Sequence, residues 1–289
     1  MFEGFQLSTI EADSVVLRVR HGGSGPPLLL LHGHPQTHVM WHLIAPALAE
    51  QFTVVAPDLT GYGDSSKPPT THDHEPYSKR AMARDQVALM QALGHESFFV
   101  AGHDRGGRVG YRMALDHPQR VLKLAVLDII PTGEHFRRAD AAFALGYWHW
   151  FFLAQPHDFP ERLIGTNPDT YYLNRRSSDA RVIFAPEALA DYRRCWNEPA
   201  TIHAMCEDYR AGATYDYALD ESERGNRRIA CPLLALWGRD NYLNTWYDVL
   251  AIWRDWADDV QGRPLPCGHF LPEEAPVETL AELLAFFAA

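Results

Sequence analysis

One segment constrains the fold of this chain more than any other. Residues 98–101 are apolar (FFVA), and they run directly into G-H-D-R-G-G-R over residues 102–108, before an apolar helical pattern over residues 109–115. This order is typical of a strand, a sharp turn and a helix, in which small residues permit a strained turn that exposes Asp104. A carboxylate is already ionised at pH 7, so it can attack an sp³ carbon without help from a base. The alternative is a simple tight turn in which Asp104 caps the helix.

The rest of the chain predicts an α/β fold. Short apolar runs alternate with a helical pattern over residues 78–93, which is the order of a mostly parallel sheet flanked by helices. Strands are predicted over residues 15–20, 27–31, 52–56, 97–101, 122–127, 232–237 and 260–265, and a last helix over residues 277–288. In between, aromatic residues, arginine and proline occur with helical spacing. We therefore predict a core of residues 1–132 and 229–289 with an inserted helical cap of residues 133–228.

Composition restricts the partners and the location of the protein. Lysine and arginine number 26 against 37 aspartates and glutamates, a net charge of −11, which argues against a nucleic-acid binder or a protein of anionic membrane surfaces. No apolar stretch approaches the ~20 residues of a membrane span, and the first residues lack signal-peptide features. A cytoplasmic location is therefore expected. Four widely spaced cysteines are expected to be reduced, namely Cys195, Cys206, Cys231 and Cys267.

An ester formed on Asp104 has to be hydrolysed, and this requires a base and donors to an oxyanion. His269 follows the last predicted strand and precedes the last helix, which fits the chain order of nucleophile, acid and histidine. The apolar strand over residues 28–31 leads to His34, whose backbone N–H is expected to join that of Arg105 as an oxyanion donor. No HExxH-type spacing is present, so neither a metal nor an organic cofactor is expected.

Two carboxylates compete for the role of the acid that orients His269. Asp128 stands at the end of the strand that follows the nucleophile, at the edge of the sheet where sites of such folds collect. Asp240 follows the next core strand, beside Asn241, where many hydrolases of this type place the acid. An asparagine cannot stabilise an imidazolium by charge, and we therefore favour Asp128 over Asp240.

Taken together, these residues resemble the α/β-hydrolase superfamily, and within it the fluoroacetate (haloacetate) dehalogenases. The resemblance spans essentially the whole chain and implies an α/β-hydrolase fold with a helical cap, and a homodimer. It rests on four motifs, namely His32-Gly33-x-Pro35, Asp58-x-x-Gly61-Tyr62-Gly63-Asp64-Ser65, Gly102-His103-Asp104-Arg105-Gly106-Gly107-Arg108 and Gly268-His269-Phe270-Leu271-Pro272-Glu273-Glu274.

The most specific part of the resemblance is Asp104-Arg105-x-x-Arg108. In the related haloalkane dehalogenases and epoxide hydrolases, the residue after the nucleophile is usually a tryptophan, which suits a neutral substrate. Arg105 with Arg108 three residues later, on the same side of the helix, predicts a two-guanidinium grip on a substrate carboxylate. The alternative for Arg108 is an ordinary solvated helix position.

The segments Tyr147-Trp148-His149-Trp150 and Asp208-Tyr209-Arg210-Ala211 match the cap of the same family. The resemblance implies that His149, Trp150 and Tyr209 donate hydrogen bonds to the departing halide. Without the family, an aromatic cluster in a helical segment is interpreted as core packing. Position 34 departs from the family pattern, because the members known to us carry an apolar aromatic residue there.

The sequence therefore predicts an enzyme that hydrolyses small 2-haloacids, with fluoroacetate converted to glycolate and fluoride through an ester on Asp104. His269 and Asp128 would supply the base and its orienting acid. An epoxide hydrolase or a haloalkane dehalogenase of the same fold is the alternative enzyme. A noncatalytic ligand-binding protein on this scaffold is a remote alternative, because Asp104, Asp128 and His269 are all present.

Overall fold

Buried apolar strands form the centre of the molecule. The computed structural model describes residues 1–174 and 180–288, and these form one eight-stranded sheet in the order β1-β2-β4-β3-β5-β6-β7-β8. The strands are β1 (Gln6–Ala12), β2 (Val15–Gly22), β3 (Pro27–Leu31), β4 (Thr53–Pro57), β5 (Phe98–His103), β6 (Val121–Leu127), β7 (Leu233–Gly238) and β8 (Val260–Leu265). In this order, all neighbouring strands from β4 to β8 are parallel, whereas β2 is antiparallel to both of its neighbours, β1 and β4. The predicted α/β class and mostly parallel sheet are confirmed.

The strand order creates a crevice at the carboxyl end of the sheet. From β3 the chain moves to β4 on one side and later returns to β5 on the other side. The loops that leave β3 and β5 therefore diverge in opposite directions, and ligands of open α/β sheets bind at such a switch point. Gly33 and Asp104 stand in these two loops.

One strand was missed by the sequence prediction. The strand β1 has a mostly exposed or half-exposed residue pattern, and its side chains are largely polar (QLSTIEA). It pairs only with β2 along the edge of the sheet. An edge strand with no buried apolar run leaves little pattern to detect, whereas the other seven strands lie within two residues of their predicted bounds.

Helices cover the sheet. Those outside the predicted insertion are α1 (Ala45–Leu48), α2 (Lys79–Ala92), α3 (Arg105–Asp116), α13 (Tyr242–Trp246), α14 (Val249–Trp256), α15 (Leu271–Glu274) and α16 (Pro276–Ala288). The predicted helix over residues 78–93 corresponds to α2, whose N-cap Ser78 accepts a hydrogen bond from the Ala81 N–H. A serine at this position satisfies one of the backbone donors that a helix leaves unpaired.

The segment between the two halves of the sheet consists, where the structure describes it, of helices joined by short turns. Its elements are α4 (Thr132–Arg137), α5 (Ala141–Gly146), α6 (Trp148–Leu153), α7 (Phe159–Thr166), α8 (Pro168–Asn174), α9 (Ala180–Ile183), α10 (Pro186–Trp196), α11 (Pro199–Ala211), a π-helical turn (Gly212–Asp216) and α12 (Tyr217–Glu223). Part of the predicted cap, residues 175–179, lies outside the described residues. The division into a core and a cap stays a prediction. Among the described helices, none combines the length and the apolar character that a membrane span requires.

Candidate active site

The turn between β5 and α3 presents Asp104 at the switch point of the sheet. Asp104 has a φ of +46°, a conformation that L-residues rarely adopt and that points to a functional constraint. The turn also needs Gly33 on the neighbouring loop, because a Cβ at that position would lie 2.6 Å from the Asp104 Cβ. The strained turn predicted from the sequence is therefore present, and Asp104 is not a capping residue, because its side chain makes no cap hydrogen bond.

The two oxygens of the Asp104 carboxylate have different neighbours. The backbone N–H of His34 donates to Oδ1 at 2.9 Å, whereas Oδ2 lies 3.9 Å from His269 Nε2. Burial opposes the charged form of Asp104, but His269, His103 and the two arginines outweigh it and hold its pKa well below the usual range. The carboxylate is therefore ionised at neutral pH, with Oδ1 held by a backbone donor.

The sheet edge brings Asp128 and His269 beside this carboxylate. His269 Nδ1 donates to Asp128 Oδ2 at 2.5 Å, and Asp128 follows β6 with a φ of +56°. The Gly238 N–H donates to Asp128 Oδ1 at 2.9 Å. Asp240, the competing candidate, is exposed and is not hydrogen-bonded to His269 by any contact that the structure describes. The geometry thus pairs His269 with Asp128.

The two arginines are both buried but differ in their partners. Arg105 Nε and Nη2 donate to the two carboxylate oxygens of Asp208 at 2.8 and 2.6 Å. The Asp208 carboxylate also accepts from Lys79 and from the Tyr62 hydroxyl at 2.6 Å. Arg105 Nη1 is buried without a hydrogen-bond partner among the described residues. Asp208 therefore balances the charge of Arg105 and leaves one nitrogen of its guanidinium available.

Arg108 has no such counter-ion. It is 1% exposed, and its Nη1 donates only to neutral acceptors, the Ile130 carbonyl at 3.0 Å and the Thr132 hydroxyl at 3.3 Å. Within the described part of the chain it forms no ion pair with a carboxylate, and its Nε lacks a partner. Burial first, and then the nearby charge of Arg105, lower the pKa of Arg108. The solvated position considered as an alternative is therefore wrong.

An aromatic cluster of His149, Trp150 and Tyr209 lies against the arginines. The guanidinium of Arg105 stacks over the Tyr209 ring at 4.2 Å, and that of Arg108 over the Trp150 ring at 4.6 Å. The Tyr209 ring lies 5.9 Å from His149 and 6.1 Å from Trp150. Cation–π contacts of this kind are attractive and stronger when desolvated. The three residues implied by the resemblance are thus brought together beside the two arginines.

The profile of the alpha/beta hydrolase fold family matches residues 26–276. The chain belongs to the α/β hydrolases. Two curated relatives have different activities. A fluoroacetate dehalogenase from Burkholderia sp is 47% identical, with 100% of this chain and 95% of that protein aligned. A soluble epoxide hydrolase from Corynebacterium sp. (strain C12) is 37% identical, with 92% and 91% aligned. The crystal structure of ALR0039 from Nostoc sp PCC 7120 superposes with a TM-score of 0.96 at 54% identity, covering 99% of each chain.

Sequence reasoning gave no role to three further residues of this hydrolase. Asn241, set aside because an amide carries no charge, donates through Nδ2 to Asp128 Oδ2. His103 Nε2 donates to the backbone carbonyl of His269 at 2.8 Å, and burial lowers the pKa of His103 to about 3, so it stays neutral. The third residue, Asp208, is the partner of Arg105. In the sequence, each of the three stands directly beside a residue that was already a candidate: Asn241 beside Asp240, His103 beside Asp104, and Asp208 beside Tyr209. This proximity was the one signal that could have pointed to them.

Proposed function

We propose that this α/β hydrolase removes halide from small 2-haloacids, with fluoroacetate as the preferred substrate, through an ester on Asp104. The observation that carries the proposal is the buried Arg108 without a carboxylate partner. A buried charge is costly unless it is paired. A substrate carboxylate next to Arg108 would supply the missing anion. With a neutral epoxide or haloalkane, the nearby Asp104 carboxylate would offset Arg108 until formation of the ester removed that charge, and this favours an anionic substrate.

The second donor to the substrate carboxylate is Arg105 through its available Nη1. Asp208 fixes the direction of that nitrogen because it holds the other two guanidinium nitrogens, Nε and Nη2. The two arginines would therefore contribute differently. Arg108 supplies most of the uncompensated positive charge, and Arg105 supplies a directed hydrogen bond whose charge Asp208 already offsets.

In the first half-reaction, Asp104 Oδ2 attacks the α-carbon of the substrate and the carbon–halogen bond breaks, with the electron pair leaving on the halide. Oδ2 is the attacking oxygen because Oδ1 is engaged by the His34 N–H. The arginines place the α-carbon by holding the carboxylate beside it. The aromatic cluster, through His149, Trp150 and Tyr209, donates to the halide as its charge develops.

In the second half-reaction, His269 Nε2 takes a proton from a water molecule, and the water oxygen adds to the Asp104 carboxyl carbon. The oxyanion that forms on Oδ1 is held by the His34 N–H and by the N–H of Arg105 at the start of α3. Collapse of this intermediate releases glycolate, which recovers the proton from His269. Asp128 holds His269 in the required tautomer and stabilises its charged form.

The epoxide-hydrolase alternative is kept because the Corynebacterium relative is similar over most of both chains. The two functions separate in one panel of substrates: fluoroacetate, chloroacetate, chloroacetamide, 1-chlorobutane and an aliphatic epoxide. We expect halide release from the two haloacids and little from the amide, which has nearly the same shape but no charge. Diol formation from the epoxide at a rate above that of haloacid turnover would refute the proposal.

A further inference from the structure

A buried carboxyl group outside the reacting centre connects α15, α10 and the loop after β3. Glu273 lies in α15, four residues after His269, and is 8% exposed. Its Oε1 accepts a hydrogen bond from the Tyr192 hydroxyl at 3.0 Å, and its Oε2 accepts one from Gln36 Nε2. Tyr192 belongs to α10 of the helical segment, whereas Gln36 belongs to the loop after β3.

The contact with Gln36 reaches a segment that carries a site residue. Gln36 is two residues from His34, whose N–H holds Asp104 Oδ1. The same loop has a second tie to α10, because the Thr37 hydroxyl donates to Asp191 Oδ2 at 2.6 Å.

The neighbouring Glu274 accepts from the N–H groups of Gly268 and Phe270, each at 2.8 Å. These two residues flank His269 in the chain. The base loop, residues 266–270, is therefore fixed to α15. Through Glu273, α15 is fixed to α10 and to the oxyanion loop, residues 32–37.

In the part of the chain that the structure describes, no cation balances Glu273. None of the described lysines, arginines or histidines forms an ion pair with it. The elements packed around it carry Glu274 on its own helix, His38 before α1, Glu278 and Glu282 on α16, and Glu187, Asp191, Tyr192, Arg193, Arg194 and Cys195 on α10. The two arginines are paired elsewhere, Arg193 with Asp169 and Arg194 with Asp64 and Asp191. Of all these groups, only Tyr192 is hydrogen-bonded to Glu273. Burial first, and then the adjacent Glu274, raise the pKa of Glu273 to about 8.

The Gln36 amide adds an independent observation. Its Oε1 is buried without a hydrogen-bond partner among the described residues. The oxygen and nitrogen of an amide are interchangeable in shape, so a protonated Glu273 can donate to Gln36 Oε1 and still accept from Tyr192. An ionised Glu273 cannot satisfy that oxygen, because a carboxylate has no proton to donate.

We propose that Glu273 is a positioning residue that, in its protonated form, ties the oxyanion loop and the base loop of this hydrolase to α10. Ionisation places an anion beside Glu274, with no cation paired to it among the described residues, and this favours entry of water between α10 and α15. The His34 N–H then loses its fixed position relative to Asp104. Because this N–H holds the oxyanion, hydrolysis of the ester slows while binding of the haloacid by Arg108 is retained.

The test compares the native protein with Glu273→Gln, which keeps a neutral group of the same size, and with Glu50→Gln, an exposed control. The kinetic part rests on the proposed haloacid activity. For the native protein and the control we expect kcat on chloroacetate to fall about tenfold per pH unit above about pH 8, with kcat/KM nearly constant because binding and ester formation are retained. Glu273→Gln is expected to remove this alkaline fall.

A second measurement does not depend on any substrate. The folded protein retains a proton on Glu273 that the unfolded chain, with an ordinary pKa near 4.5, releases. The native protein therefore loses stability relative to Glu273→Gln as pH rises from about 5 to about 8. If the variant does not fold, infrared spectra of the native protein and of Asp220→Asn, which lacks a second buried carboxyl group whose pKa is raised to about 7 by burial, still report whether a buried carboxyl band disappears near pH 8.

These readouts separate the two proposals. A substrate panel without haloacid turnover, together with the expected stability difference, would overturn the haloacid function and leave the protonated Glu273 in place. An alkaline fall that is identical in the native protein and in Glu273→Gln would overturn the positioning role. An absent carboxyl band at pH 6 would overturn it as well.

Discussion

The sheet edge and the aromatic cluster place their side chains by different physical means. At the sheet edge, Asp104 and Asp128 each follow a parallel strand in a strained conformation, and backbone N–H groups fix their oxygens. In the aromatic cluster, Trp150 and Tyr209 are held by ring and cation–π contacts at 4 to 6 Å. Directed hydrogen bonds fix an atom within a narrow range, whereas ring contacts tolerate small shifts. We therefore expect sheet-edge substitutions to abolish turnover of all substrates and cluster substitutions to discriminate between them.

The largest effect is expected for Asp104→Asn. An asparagine tolerates the positive φ but is a poor nucleophile, so kcat should fall on the order of 10⁴-fold or more for every haloacid. Halide release measures the loss, and intact-protein mass spectrometry should detect no adduct.

The matched variant is His269→Asn, which retains the nucleophile and lacks the base. We expect one equivalent of halide to be released, and an ester to accumulate on Asp104. If His269→Asn stayed unmodified and inactive, His269 would also be needed for the first half-reaction, contrary to the separation of roles proposed here.

The next prediction distinguishes Asp128 from Asp240, the two carboxylates considered as the partner of His269. Asp128→Asn should slow ester hydrolysis by about 10²- to 10⁴-fold, the usual contribution of acid–base groups, because the amide cannot stabilise a charged His269. Asp240→Asn should change it less than twofold, since its side chain is exposed. Single-turnover measurement of ester decay decides between them, and a comparable loss in both variants would contradict the assignment of Asp128.

The same contrast explains which parts were predictable from the sequence. Asp104 and Asp128 could be located because each follows a buried strand, and buried strands leave a clear apolar pattern. His269 follows β8, which is mostly exposed or half-exposed, and it was located by the chain order of nucleophile, acid and histidine. The strand β1 could not be located because its residues are mostly polar. The pairing of Arg105 with Asp208 could not be predicted either. The two residues lie 103 positions apart, and their contact depends on how α11 packs over the sheet, which local patterns do not encode.

The arginines connect the two regions and should give intermediate effects. A hydrogen bond to a charged group contributes about 1.5 to 3 kcal/mol, so Arg108→Gln should lower kcat/KM for chloroacetate roughly ten- to a hundredfold. Chloroacetamide should be affected far less. Arg105→Gln is a poorer probe of substrate binding, because it also leaves Asp208 with one cation fewer. A larger loss on the amide than on the acid would show that Arg108 does not bind the carboxylate.

The smallest effect, and the one most specific to fluoride, is expected in the aromatic cluster. The Arg108 guanidinium occupies the face of the Trp150 ring, and an indole N–H lies in the ring plane, so stacking leaves this donor available for another partner. Fluoride leaves carbon reluctantly and depends on hydrogen bonds formed as its charge develops, whereas chloride needs them less.

Trp150→Phe keeps the stacking surface and removes the N–H. We expect about a tenfold loss of kcat on fluoroacetate and about a twofold loss on chloroacetate, with the same asymmetry for Tyr209→Phe. Fluoride and chloride release, measured with ion-selective electrodes on the same preparations, gives the ratio directly. Equal losses on both substrates would assign these rings to packing alone, and the preference for fluoride would then have to arise at the sheet edge.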